Sequence, residues 1–351
     1  MKNKIHIVHV AEAWKGGVAT YVESLINAQV QDKHRVTLIV DKNNFEADLR
    51  QLNCDIVFFN GSRNPAKIFN VSREVLAHLK ALSPDLIHCH STFAGVYCRL
   101  QKPSAKTIYT PHAWSFYKED VSPLHKKAYQ WIEQYLAKHT DRIICISQEE
   151  INAALKAGIP QNKLSLLYTG LKDASAANSQ ARDVENKLKI GFFGRFDYQK
   201  GFDLLLKSHN KLNAELEIHL FGDFVRSETS SFPDSFIHHG WIPNQQIHQQ
   251  MCQMDAIIVP SRWEGFALTP LEAMRAGKAL VISNCSSLPE VVIDGYNGLI
   301  IPHLSDDGIA NTLNRLDFTL CNELGSNGRQ VFEKRFSFEH FYQQLMALYR
   351  Q

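Results

Sequence analysis

Short, nearly continuous apolar runs recur along the first half of the chain, at Ile5–Val10, Val36–Val40, Ile56–Phe59, Leu86–His90, Thr107–Thr110, Ile143–Ile146 and Leu164–Leu167. Segments with a helical spacing of apolar residues separate most of them, for example Val18–Val30, Ile68–Leu82 and Leu124–His139. Apolar strands spaced by helices predict a parallel sheet covered on both faces. Residues 171–186 (LKDASAANSQARDVEN) are polar and rich in Ala, Ser and Asn, and read as a linker. The pattern then restarts with strands at Lys189–Phe193, Leu216–Phe221, Ala256–Val259, Ala279–Ser283 and Leu299–Ile301, and a helix at Gly201–Leu212. The two openings look alike: KIHIVHV leads to Lys15-Gly16-Gly17 and a helix, and KIGFFG leads to Lys200-Gly201 and a helix. The expectation is α/β, with two Rossmann-like lobes in tandem, 1–170 and 187–336. A cleft between them would be faced by strand ends and helix N-termini. A final helix, Ser337–Arg350, carries Phe338, Phe341, Tyr342, Leu345 and Tyr349 on one face, and 337–351 is expected to cross back onto the first lobe.

A chain of 351 residues exceeds one ordinary core, which agrees with two lobes. No apolar run approaches the roughly 18 residues that span a bilayer. The N-terminus, MKNKIHIVHVAEAW, enters a strand almost at once and has no apolar signal core. The seven cysteines have no close pairs, which fits a reducing cytoplasm better than a disulfide frame or a zinc ribbon. The net charge of +2 divides unevenly: residues 1–170 hold 21 Lys+Arg against 15 Asp+Glu, and the remainder holds 17 against 21. A basic lobe joined to an acidic one suggests that one of them faces anions.

The most informative stretch is PSRWEGFALTPLEAMRAG, Pro260 to Gly277. Glu264 lies in a loop after the strand, and Glu272 lies one turn into a helix expected to start at Thr269 with Pro270 at the first helical position. Gly265, Phe266, Ala267 and Leu268 bring backbone amides to that helix N-terminus, where unpaired N–H groups and the helix dipole attract anions. Carboxylates accept hydrogen bonds from hydroxyls. A phosphate at the helix with a carboxylate on each side therefore suits a ligand bearing hydroxyls on both sides of a phosphate, such as a nucleotide sugar.

Gly16 and Gly17, between the first strand and helix, would let backbone approach a phosphate or sugar, although they form no dinucleotide fingerprint. In the second lobe Arg195 could hold two phosphate oxygens in its planar fork, and Lys200 would add a point charge. His112, in YTPHAWSF, should stand at the C-terminal end of its strand. His88 and His90 with His112 could in principle bind a metal, but no carboxylate or cysteine completes the set, and no Asp-x-Asp occurs in the chain to chelate a metal-bound diphosphate. No metal and no cofactor are expected.

GGVATYV, YTPHAW, GRFDYQKG, EGFALTPLE, SLPEVV and DGYNGLII occur in that order, and on them the chain resembles the family-four retaining glycosyltransferases of the GT-B fold. HCHSTFAGV and YTPHAWSF look especially like bacterial enzymes that build capsule, exopolysaccharide or O-antigen chains. The resemblance implies that Gly17 approaches the donor diphosphate or the acceptor, that Arg195 and Lys200 neutralise the diphosphate together with the amides of Leu268 and Thr269, and that Glu264 binds donor-sugar hydroxyls. It further implies that Phe266 and Ala267 line the sugar pocket through backbone amides, that Glu272 holds the ribose, and that His112 sits beside the anomeric carbon. Ala113 stands where Asp or Gly often follows the histidine, Ala267 replaces a frequent Gly, and Ser286-Ser287 replace the common Gly pair before Pro289-Glu290.

The expected reaction moves a sugar, from uridine diphosphate by family likeness, to a hydroxyl with its anomeric configuration kept. A front-face route, in which the leaving phosphate helps deprotonate the acceptor, fits better than a covalent intermediate because no nucleophile is evident. The alternatives are a nucleotide-sugar epimerase, which would want paired acid and base groups around the sugar, and a non-catalytic nucleotide-sugar-binding subunit, which need not stabilise a leaving group. The acceptor is expected to be a lipid-linked glycan, and no nucleic-acid partner is expected. The segment 118–139, KEDVSPLHKKAYQWIEQYLAKH, carries Lys126, Lys127 and Lys138 with Tyr129, Trp131, Ile132, Tyr135 and Leu136. It reads either as a helix lying on the anionic cytoplasmic face of a membrane or as one whose Trp131, Ile132, Tyr135 and Leu136 pack onto the sheet.

Overall fold

A computed structural model describes residues 4–44, 52–117, 122–174, 187–224 and 232–351. The chain forms two compact units, one of Met1–Thr169 with Tyr342–Gln351 and one of Gly170–Phe341. The first holds a sheet of β1 (His6–Ala11), β2 (Arg35–Asp41), β3 (Asp55–Phe59), β4 (Leu86–His90), β5 (Lys106–Thr110), β6 (Arg142–Cys145) and β7 (Leu164–Leu166), in the order β3-β2-β1-β4-β5-β6-β7. The second holds β8 (Leu188–Phe193), β9 (Leu216–Phe221), β10 (Phe236–Gly240), β11 (Ala256–Val259), β12 (Ala279–Ser283) and β13 (Leu299–Ile301), in the order β10-β9-β8-β11-β12-β13. The described pairings are parallel, for example His9 with His88 between β1 and β4, and Ile190 with Ala256 between β8 and β11. In each sheet the strand order reverses beside the unit's first strand, at β1/β4 and at β8/β11. Such reversal points leave a crevice at the strands' C-terminal ends.

Two-sided coverage explains the continuous apolar strands. Ile7, Val8, Val10, Leu38, Ile39, Ile108 and Ile143 are fully buried in the first unit, as are Ile190, Ile218, Leu220, Ile257 and Ile282 in the second. Strand runs match the sequence reading to within about a residue, but β10 was not foreseen. Its sequence FIHHG lies at the sheet edge with only Phe236 buried, so the apolar signal is missing. Helices Thr92–Arg99 (α3), Gln148–Lys156 (α5), Asn244–Cys252, Asp306–Leu313 and Phe318–Val331 were also not anticipated. Of the expected linker 171–186, residues 175–186 lie outside the described residues. The last helix, Phe338–Arg350, contributes its final residues to the first unit, where Leu345, Met346 and Tyr349 are buried and the backbone carbonyls of Leu348 and Tyr349 accept from Lys106 Nζ at 3.1 and 3.0 Å.

Helix α4 (Pro123–Leu136) follows Ser122, whose hydroxyl caps it by accepting from the His125 amide. Only Glu133 and Leu136 of the helix are fully buried. Leu124, Trp131 and Tyr135 face outward, Trp131 at 67% exposure, with the Trp131 and Tyr135 rings stacked 6.1 Å apart and Lys138 Nζ 5.6 Å from the Tyr135 ring. Residues 118–121 of the expected membrane segment lie outside the described residues.

A charge pair fastens α4 to α3. Arg99 is 0% exposed; it donates to Glu133 Oε2 at 2.8 Å and to the Gly95 carbonyl at 2.8 Å, and its guanidinium lies 3.6 Å from the Tyr109 ring. The Tyr109 hydroxyl donates to the other carboxylate oxygen at 3.0 Å. Breaking a buried pair leaves one charge without compensation, at a cost of about 3–5 kcal/mol. Glu133→Leu is therefore expected to lower the urea-unfolding stability by about that amount, and adding Arg99→Met to recover most of it. Equal losses in the single and double variants would show that the pair is not what holds α4.

Candidate functional site

In the second unit the chemistry gathers after β8 and β11. Gly194 leaves β8 at φ 148°, in a region suited to glycine. Gly201 (φ 69°) precedes the helix Phe202–Lys207, and a Cβ there would meet the Pro260 carbonyl oxygen at 1.9 Å, so only glycine lets the two loops touch. That contact brings Lys200 to Glu264, Nζ to Oε1 at 2.6 Å. The Ser261 hydroxyl donates to the same oxygen at 2.6 Å, and the Glu264 amide donates to Ser286 Oγ at 3.2 Å. The Glu264 carboxylate is 7% exposed and the Lys200 side chain 21%. Arg195 is more open: its guanidinium meets Asp197 at 3.1 Å and Gln199 Oε1 at 2.9 Å. Arg195 and Lys200 thus share one loop as expected, but each already has a protein carboxylate, and the pairing of Lys200 with Glu264 was not legible from spacing.

Helix α8 runs Leu268–Arg275 after an extended Ala267 (φ −69°, ψ 129°). It opens one residue before the expected Thr269, and Pro270 is its third residue rather than its first. The shift costs nothing, because none of the first four N–H groups has an intrahelical acceptor. No side chain caps this end. The amides of Leu268 and Thr269 lie in the first turn, as an anion site requires. Glu272 is half-buried, and burial raises its carboxyl pKa, partly offset by Arg275. Ser286 takes φ 49° where the family pattern often has glycine, and the Ser287 hydroxyl donates to the Gly265 carbonyl at 2.6 Å. The Phe266 ring lies 6.4 Å from that of Phe336.

In the first unit Gly16, at φ 58°, and Gly17 open helix α1 (Gly16–Gln31) rather than preceding it. Both are exposed, no side chain caps the helix, and a Cβ on Gly16 would meet nothing within 4 Å. His112 follows β5 in a left-handed conformation, φ 52°, and Ala113 continues it at φ 83°. Two successive non-glycine residues there are strained and need external support. Glu150 supplies it: one carboxylate oxygen accepts from the Ala113 amide at 2.7 Å and the other from the Ile146 amide at 2.9 Å, and the Glu150 carbonyl accepts from Trp114 Nε1 at 3.0 Å. The only sequence signal for Glu150 was Ser147-x-x-Glu150 at the start of α5, a helix-capping pattern.

Behind His112 stands a row of imidazoles. His112 Nε2 is 3.2 Å from His90 Nδ1, His90 Nε2 is 2.9 Å from His9 Nδ1, and His9 Nε2 is 2.8 Å from Gln29 Oε1. His88 instead bonds Tyr349 Oη at 2.6 Å and Thr110 Oγ1 at 2.8 Å. His9, missed in the sequence, was detectable from β1, where it faces the same layer as the alternating His88 and His90 of the adjacent strand. One ring nitrogen from each of His9, His88 and His90 lies within 4.8 Å of the others. This trio, not His88 and His90 with His112, is the group with metal-ligand spacing among the described residues. All six of its ring nitrogens already have hydrogen-bond partners, and no carboxylate joins it. Burial lowers the His9 pKa to about 4 and the His112 pKa to about 3, and holds His88 and His90 well below the ordinary value. His112 is therefore a neutral hydrogen-bonding group at physiological pH.

Residues 15–174 match the model of the family described as Glycosyltransferase Family 4, and residues 175–331 match that of Glycosyl transferases group 1. An uncharacterized 41.2 kDa protein of the cps region of Klebsiella pneumoniae is 30% identical, over 95% of this chain and 96% of its own. The lipopolysaccharide 1,6-galactosyltransferase of Salmonella typhimurium is 26% identical over 72% of this chain and 70% of its own. Among solved structures, Anabaena HepE in complex with UDP superposes with a TM-score of 0.82 at 20% identity, covering 98% of this chain and 99% of that one. Its complex with UDP-glucose gives 0.78 at 19% with the same coverage. These two likenesses speak to the fold.

The imidazole row makes stability depend on pH. Each histidine has a folded pKa below its unfolded value of about 6.5, so the unfolded chain binds more protons between the two, and stability is lost as pH falls through that window. The first unit should lose about 1.4 kcal/mol per pH unit for each histidine that stays neutral, from about pH 6.5 downward. Urea unfolding followed by the buried Trp14 and Trp114 checks this. A midpoint constant from about pH 7 to about pH 5 would show that the four rings are not held neutral.

Proposed function

The chain belongs to the family-4 glycosyltransferases of the GT-B fold, and from that premise we propose that it transfers a hexose or N-acetylhexosamine from a UDP-sugar to a hydroxyl of a growing, lipid-linked cell-surface glycan, with retention of configuration. The observation that carries this reading is the Lys200–Glu264 pair beside the uncapped start of α8. A cation and a carboxylate, followed in the chain by a helix start without a side-chain cap, are the groups that a sugar diphosphate would use as electrostatic clamp and hydroxyl acceptor. The capsule-region and lipopolysaccharide relatives support a surface-glycan product, and the UDP complexes of the fold neighbour support the donor.

Charge builds on the β-phosphate as the C–O bond breaks, and preorganised donors directed at it are worth about 3–4 kcal/mol each. In this reading Lys200 and Arg195 exchange carboxylate partners for the diphosphate, Leu268 and Thr269 donate their amides, and Gly16 and Gly17 form the acceptor-side loop. Glu264, relieved of Lys200 but still steadied by Ser261, accepts from sugar hydroxyls, next to the backbone of Phe266 and Ala267. Glu272 accepts from the ribose. The protein's own cations and dipoles supply the counter-charge, so the proposal invokes no metal. His112 stands beside the sugar as a neutral group, and the leaving phosphate takes the acceptor's proton.

Lys200→Ala and Arg195→Ala should each lower turnover by about 10²-fold or more, and EDTA should leave it largely intact. Glu272→Ala should weaken UDP binding measured by calorimetry, whereas Glu264→Ala should spare UDP binding and impair use of the intact donor, since its partner is the sugar. Wild-type turnover in the cation variants would contradict the clamp, and equal loss of UDP affinity in both glutamate variants would contradict the division between sugar and ribose.

The outward Leu124, Trp131 and Tyr135 with Lys127 and Lys138 favour the membrane reading of α4, with only Leu136 fully buried among the four residues that the packing alternative needs. No helix among the described residues is long and apolar enough to cross a membrane. Binding to vesicles with anionic lipid should exceed binding to neutral ones, fall with salt, and weaken in Lys127→Glu and Trp131→Ser. Equal sedimentation with both vesicle types would leave the aromatic stripe without a membrane role.

A further inference from the structure

The row from Gln29 to His112 has a direction. With the Gln29 amide oriented as it is in the structure, its oxygen can only accept, so His9 Nε2 carries the proton that it shares with Gln29 Oε1. A neutral imidazole has one N–H. His9 Nδ1 is therefore an acceptor, and the proton in its 2.9 Å contact belongs to His90 Nε2. His90 Nδ1 must then accept, and the proton in the 3.2 Å contact belongs to His112 Nε2. Each assignment follows from the one before, provided that all three rings are neutral. His9 and His90 are 0% exposed, and desolvation disfavours the charged form of the half-buried His112 as well.

His112 Nδ1 is the end of the series. It holds a lone pair and has no partner among the described residues. The Tyr21 ring packs edge-on against His112 with centroids 4.8 Å apart and against His90 at 5.9 Å, which fixes the ring planes. Gln29 is itself 0% exposed, on the face of α1 that covers the sheet.

We propose that Gln29 is a positioning residue that acts through His9 and His90 to fix the Nε2–H tautomer of His112, so that His112 offers its ligand a bare acceptor nitrogen and selects a hydroxyl group there. Resting on the glycosyl-transfer reading, this makes the His112 partner a sugar hydroxyl rather than a phosphate or carboxylate oxygen, which would need a donor. It also excludes His112 as the proton donor to the leaving group. The structural partner His88 lies outside the series because both of its nitrogens are engaged by Tyr349 and Thr110.

The test reads the tautomer directly, without substrate, in the full chain labelled with ¹⁵N-histidine, the His112 ring being assigned by its disappearance in His112→Asn. The expected spectrum has an imine-type Nδ1 and a protonated, pyrrole-type Nε2 at His112 across neutral pH. A Gln29 amide turned end for end would reverse every bond and put the proton on His112 Nδ1, and a pyrrole-type Nδ1 in the wild type would overturn the proposal. Gln29→Leu removes the terminal acceptor and should give a mixture of His112 tautomers, with the donor KM raised about tenfold, the scale of one neutral hydrogen bond. Gln29→Glu, which keeps an acceptor oxygen, should restore the single tautomer. An unchanged His112 spectrum in Gln29→Leu would remove Gln29 from the role. The spectra need no turnover, so absence of transferase activity with the expected tautomer would count against the functional reading and leave the relay standing.

Discussion

A parallel sheet covered by helices on both faces leaves room for ligand-facing groups only at the ends of its strands, and that constraint organises both units. Gly16 follows β1, His112 follows β5, Gly194 follows β8 and Glu264 follows β11. Each comes after a strand whose residues are mostly buried, and three of the four loops depart from ordinary backbone geometry, with glycine at positions 16, 194 and 201 and a carboxylate brace from Glu150 at His112 and Ala113. The apolar packing that stabilises the sheet thereby fixes where the candidate site residues emerge. A helix following a strand end also brings its unpaired amides to the same rim, as α1 and α8 do without side-chain caps.

The two units meet the requirement for a preorganised site in opposite ways. The second pairs its charges: Glu264 is nearly buried but bonded to Lys200 and Ser261, so its burial is compensated. A ligand that offers Lys200 a phosphate and Glu264 a hydroxyl exchanges partners without stranding either charge. The first unit instead sets neutral imidazoles linked nitrogen to nitrogen behind His112. Neither arrangement leaves the working groups to be ordered only when the ligand arrives.

The strands were legible because two-sided burial forces uninterrupted apolar runs; Leu86–His90, Leu216–Phe221, Ala256–Val259, Ala279–Ser283 and Leu299–Ile301 were read without error. The edge strand β10 was not, because only Phe236 of it is buried and its sequence, FIHHG, carries no such run. Glycine, glutamate and lysine at loop positions marked the second unit's candidate site, but the Lys200–Glu264 bond joins residues 64 apart and depends on Gly201 meeting the Pro260 carbonyl, a tertiary contact that no local spacing encodes. Ser261 was invisible for the same reason. The imidazole row was half visible: alternation in HCH put His88 and His90 on one side of their strand, whereas the roles of His9 and Gln29 depend on the register of β1 against β4 and on α1 covering that face.

The account stands on transfer of a sugar from a nucleoside diphosphate to an acceptor hydroxyl. The most direct measurement is release of UDP from a panel of labelled UDP-sugars, in EDTA, with and without a lipid-linked oligosaccharide acceptor, followed by NMR of the product's anomeric proton. The account predicts that one donor gives UDP release only when acceptor is present, and that the new linkage keeps the donor's anomeric configuration. Conversion of the nucleotide sugar without acceptor, or a product of inverted configuration, would contradict it.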